Sequence, residues 1–185
     1  MVGKKNVVFG FLFLVFSASL GPYMIVKFSP EIQKAGANKQ TAVGRLQTLK
    51  ADDYEENLDP LKPEAIAKAN TDGILALNTL ENANQPVDLI RTPHAHGNLE
   101  SLLNIAVGIT LCFIAVAPLF KQAISWIFIV GQLTHSGVMF LAVVFQLAWA
   151  QTILNTGVGP ALILLGLLLT GIAAAIGFRG ELVKD

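Results

Sequence analysis

Two histidines and a carboxylate stand at the head of a long apolar run, in Thr92-Pro93-His94-Ala95-His96-Gly97-Asn98-Leu99-Glu100-Ser101-Leu102-Leu103-Asn104. With Thr92 as N-cap and Pro93 as the first helical residue, His96, Glu100 and Asn104 fall at i, i+4 and i+8 and share one helix face. Neutral imidazole is the commonest protein ligand for iron, copper and zinc, and ionisable side chains inside a membrane segment mark functional sites. The spacing therefore predicts a cofactor- or metal-binding face, with His94 and His96 as candidate ligands and Glu100 and Asn104 as candidate catalytic residues. On a regular helix the rings of a His-x-His pair point about 200° apart, so one metal takes both only if the first turn is irregular. A single histidine as axial haem ligand is the easier geometry. A carboxylate in the membrane costs about 2.5 kcal/mol or more at the centre, so Glu100 needs a partner. His96, one turn earlier, is the expected one, as an oriented imidazole or a proton relay. Asn104 either contacts a ligand or joins two helices.

A third histidine lies deeper, in Gly131-Gln132-Leu133-Thr134-His135-Ser136-Gly137, where Gln132, Thr134 and Ser136 keep its surroundings polar. His135 is thus a further candidate cofactor ligand. In a simple antiparallel arrangement it stands about 20 Å in depth from His96 at 1.5 Å per residue. The two are then expected not to ligate one metal unless the helices are offset. Gln146, Trp149, Gln151, Asn155 and Thr156 follow at the depth of Glu100, as a pocket lining or an interfacial belt.

These residues are carried by a chain of 185 residues with 53% hydrophobic and 14% charged side chains, too apolar for an ordinary soluble domain. The composition predicts an all-α integral membrane four-helix bundle, with spans at about 6–26, 99–120, 123–149 and 152–178, each near the ~20 residues a bilayer requires. The first is expected to be a retained anchor, because its apolar run continues past Ser17-Ala18-Ser19, where a signal would be cleaved. The organisation that follows is a first transmembrane helix at 1–27, a helical segment outside the membrane at 28–92, and a three-helix membrane region at 93–185. Lys4, Lys5, Lys121, Arg179 and Lys184 fall on one side of this arrangement, which the positive-inside rule makes cytoplasmic. Both termini are then cytoplasmic and residues 28–100 extracytoplasmic, as in a bacterial inner membrane.

Within the outer segment, Ser29-Pro30-Glu31 reads as a helix start and residues 63–83 as helix, giving two or three short helices in all. Asp52 to Pro63 carries five acids and two prolines and reads as a solvent-facing turn; it lacks calcium-loop spacing. Cys112, the single cysteine, reads as a packing residue. Gly166, Gly171 and Ala175 in the last span favour close helix packing, in a bundle or a homo-oligomer. No basic patch supports nucleic-acid binding, and no nucleophile–base pair supports a hydrolase.

The segment from His94 to Gly108, about fifteen residues, resembles the His-Ala-His-x-Asn-Leu motif of small haem-copper-oxidase-associated membrane proteins. It is also similar to the corresponding helix of the styrene-oxide isomerase family. That resemblance implies four spans and haem b acting as a Lewis acid, with His94 at the axial-ligand position and Gly97 and Leu99 matching. Glu100 stands where that family has its catalytic asparagine, and the outer insertion is longer. The leading expectation is a membrane haem b protein, either an oxidoreductase working with a quinone or respiratory-type partner or an isomerase of a small apolar substrate. His94, His96 or His135 would bind the cofactor, with Glu100 and Asn104 shaping its environment. Two alternatives remain open: a non-catalytic membrane subunit that docks through its outer segment, and a copper-type site built from His94, His96 and Glu100.

Overall fold

The computed structural model describes residues 1–56 and 59–183. It is helical almost throughout: α1 (Lys4–Ala51), a minimal antiparallel pair β1 (Glu55–Glu56) and β2 (Asp59–Pro60), α2 (Pro63–Leu111), α3 (Pro118–Gln132), a π turn (Leu133–Gly137), α4 (Val138–Val144), α5 (Ala148–Asn155) and α6 (Val158–Gly177). One compact unit comprises Met1–Pro22 with Leu89–Asp185, and a second comprises Tyr23–Asp88.

The second unit differs from the expectation of two or three short helices. Its helical segments belong to α1 and α2, and these run unbroken through Pro30 and Pro86, as α1 does through Pro22 and α2 through Pro93. Ser29 and Thr92 are therefore interior residues rather than N-caps, and the Ser29 hydroxyl instead accepts a bond from Gln33 at 3.0 Å. A proline inside a helix loses one backbone hydrogen bond. Packing offsets that loss here, since Ala35, Ala69 and Ala83 are buried and Gly73 lies against Leu46. The acidic stretch does form an exposed turn, in which Asp53 and Tyr54 take left-handed φ angles of 48° and 62°. Part of it, residues 57–58, lies outside the described residues, as does Lys184.

In the first unit, three helices are long and apolar enough to cross a membrane: α1, the run Pro118–Val144, and α6. The expected second span falls differently. α2 has ample length, but His94, His96, Asn98, Glu100 and Asn104 dilute its apolar character, and it stops at Leu111 rather than Phe120. Pro118 opens α3 as its first helical residue, where its missing N–H costs nothing. The third expected span, 123–149, is interrupted by the π turn and ends at Val144; Gln146 then takes a φ of 54°. The fourth begins at Val158 rather than 152, after Gly157 in the left-handed region at φ 68°.

Small residues let α1 and α2 approach backbone to backbone. A Cβ on Gly3 would stand 1.9 Å from the Gly108 carbonyl oxygen, one on Gly10 2.7 Å from the Ser101 carbonyl oxygen, and one on Gly97 2.7 Å from Ser17 Cβ. Val107, Leu111, Ile114, Ile124, Phe128, Ile163 and Ala173 form the apolar core beside this contact. The chain end straps the α2–α3 turn, with Arg179 N–H donating to the Phe113 carbonyl at 2.7 Å.

Candidate metal centre

α2 delivers His96 and Glu100 one turn apart on its inward face, and the π turn delivers His135 and Ser136. A π turn carries an extra residue per turn and recurs at functional sites. It lets two consecutive side chains converge on one carboxylate. His135 Nδ1 hydrogen-bonds to Glu100 Oε1, and the Ser136 hydroxyl donates to Glu100 Oε2. Glu100 is 3% exposed, so both oxygens are satisfied away from water. The partner of Glu100 is thus His135 with Ser136, and not His96 as the sequence suggested.

His96 completes the group. Its ring centroid lies 4.9 Å from that of His135 with the planes at 65°, and one ligand atom each from His96, Glu100 and His135 lie within 4.8 Å of one another. The expected 20 Å separation of His96 and His135 is overturned, and the reason is the early end of α2. Measured from Leu111, His96 lies about 23 Å back along α2, and from Pro118, His135 lies about 26 Å along α3, at 1.5 Å per residue. The two histidines are therefore level. Behind them Gly159 of α6 admits the π turn, since a Cβ there would stand 2.6 Å from both the backbone nitrogen and the Cβ of His135.

His94 lies on another face and outside this group. Its Nδ1 is 2.7 Å from the Ser17 carbonyl oxygen, and because a carbonyl only accepts, Nδ1 carries the proton. Nε2 then offers its lone pair, 3.4 Å from the Asn98 amide nitrogen, while Asn98 Oδ1 accepts from Ser17 Oγ at 2.8 Å. This is the orientation a metal-bound histidine takes. A Cβ on Gly21 would stand 3.6 Å from Nε2 and 3.3 Å from Cε1, so α1 passes close to this edge of the ring.

Asn104 joins helices. Its amide nitrogen donates to Gln132 Oε1 at 2.8 Å, and its oxygen accepts from Asn6 Nδ2 at 2.9 Å. Asn6 also donates to the Ser125 carbonyl at 3.0 Å and accepts from the Ser125 hydroxyl. The Ser101 hydroxyl donates to the Gly97 carbonyl at 2.6 Å, which leaves its oxygen to accept from Gln132 Nε2 at 2.8 Å. All five side chains are buried, and they bind α1, α2 and α3 directly beneath the His–Glu group. Sequence reasoning missed Asn6, Ser101 and Ser125. The available signal was the spacing of Lys121, Ser125, Gln132 and Ser136, which puts four buried polar residues on one face of α3 and its π turn. Gln146, Trp149, Gln151, Asn155 and Thr156 are exposed, and Gln151 donates to Asn155 at 2.8 Å.

No protein-family model matches the chain, and neither a curated protein nor a solved structure matches it.

Proposed function

We propose that this is an integral membrane metalloprotein with a non-haem transition-metal centre held by His96, Glu100 and His135. The observation that carries the reading is the convergence of two imidazoles and a carboxylate within 4.8 Å. A nitrogen-rich set with one carboxylate suits iron, copper or zinc and disfavours magnesium and calcium, which take oxygen ligands. A bound metal of this class supplies redox or Lewis-acid chemistry, and three protein donors leave positions open for a reactant. Glu100 contributes a negative charge to offset the cation, and Ser136 fixes the carboxylate. Asn104 and Gln132 set the register of α2 against α3 that brings the ligands level.

In this reading α2 crosses the membrane as a fourth helix whose polar face is covered by α1 and α3. The reactant is a small apolar molecule or a quinone, because Leu99, Leu102 and Leu133 are exposed around the centre where lipid would lie. Copper is the favoured metal if the centre transfers electrons to a respiratory-type partner.

Elemental analysis of detergent-purified protein, with visible spectra before and after dithionite, tests the proposal. About one metal per chain, lost in His96→Ala and His135→Ala and kept in His94→Ala, is the expected result. A Soret band abolished by His94→Ala would instead establish the haem b reading. A folded, metal-free protein that tolerates replacement of all three histidines would establish the second reading, a non-catalytic subunit. That reading has its own support: every described buried side-chain polar atom already has a hydrogen-bond partner within the chain.

A further inference from the structure

At the end of the first unit opposite the histidines, two grooves flank the start of α1. The contact of Gly3 with the Gly108 backbone seats this start and thereby fixes Lys4 and Lys5. One groove, of about 570 Å³, is lined by Lys4, Lys5, Val8, Pro118 and Gln122. Lys5 is held in place, for its ammonium donates to Gln122 Oε1 and sits 4.3 Å from the Trp126 ring centroid. The other groove, of about 400 Å³, is lined by Val7, Val8, Ile109, Phe113 and Leu182, and has no polar surface. Met1, Lys4 and Val8 border both. No acidic side chain lines either groove among the described residues.

We propose that the pair of grooves holds one anionic phospholipid, with its phosphate against Lys4 and Lys5 and an acyl chain along Val7, Ile109 and Phe113. Charge complementarity and depth carry this assignment. The lysines open a helix apolar enough to cross a membrane, which puts them at headgroup level, and the exposed Trp126 beside Lys5 is the amphipathic ring expected there. Each lysine near an anionic bilayer surface raises affinity about fivefold. A free phosphate would use the lysines and leave the apolar groove unfilled; a lipid uses both.

The chain has two tryptophans, so a Trp149→Phe background makes Trp126 the reporter. In liposomes of defined composition, brominated phosphatidylglycerol should quench Trp126 to half-maximum at a mole fraction at least fivefold lower than brominated phosphatidylcholine. Lys4→Gln, at an exposed position, should reduce that preference about fivefold, and Lys4→Arg should restore it. Equal quenching by the two lipids overturns the proposal, as does a preference that survives Lys4→Gln. Reversal of quenching by millimolar inorganic phosphate overturns it in favour of a free-anion site.

Discussion

At the residue scale the chemistry turns on how Glu100 is held. A buried carboxylate bound by an imidazole on one oxygen and a hydroxyl on the other has a fixed direction. Groups that orient metal ligands typically contribute 10–100-fold to affinity. Ser136→Ala should therefore weaken metal binding by about tenfold while costing about 1 kcal/mol in stability, readable by competitive chelator titration and thermal melting. Glu100→Ala leaves His135 Nδ1 and the Ser136 hydroxyl without their acceptor, so metal should be lost and stability should fall by about 1–3 kcal/mol. An unchanged metal affinity in Ser136→Ala would show that the serine has no orienting role. Three residues of this group were readable from sequence as candidates. The four-residue spacing of His96, Glu100 and Asn104 put them on one face, and the depth of His135 marked it as well. Their assembly was not readable, because it depends on where α2 ends. Pro118, a favourable first residue for a helix, was the signal that a new helix starts there and not at Ala123.

At the element scale the π turn Leu133–Gly137 aims adjacent residues at one carboxylate, and the close contact of Gly159 with His135 supports it from α6. Deleting Thr134 removes the extra residue of the turn and restores ordinary α-helical spacing, in which consecutive side chains stand about 100° apart and His135 and Ser136 no longer both face Glu100. Circular dichroism should then show helix content preserved while metal binding disappears. Retained metal in that variant would mean that the π turn does not position the ligands. The sequence carried no clear mark of this turn, since Thr134, His135 and Ser136 fit a regular helix as well. Likewise Ser29-Pro30 and Thr92-Pro93 have the local form of helix starts. Long helices packed through small side chains override that local preference, which operates at a scale the motif cannot report.

At the scale of the whole molecule, composition announced an all-α chain with membrane-length apolar helices, and the charge map sets the sidedness to be expected of them. The number of crossings rests on α2, whose polar face makes it poor as an isolated span and acceptable when covered. Four crossings put Arg179 on the cytoplasmic side; three, with α2 not crossing, put it outside. In a Cys112→Ser background, a cysteine at Gly44 should react with a membrane-impermeant maleimide in intact cells, and one at Arg179 only after permeabilisation. Labelling of both in intact cells would favour three crossings.

The claim on which the account rests is that one metal is shared by a histidine from α2 and a histidine from the π turn. Pulsed electron paramagnetic resonance on the copper(II)-loaded protein counts coordinated imidazoles through the modulation of their remote nitrogens. Two are predicted in the intact protein, one in His96→Ala and in His135→Ala, and two again in His94→Ala. A count that falls when His94 is replaced, and holds when His135 is replaced, would contradict the account.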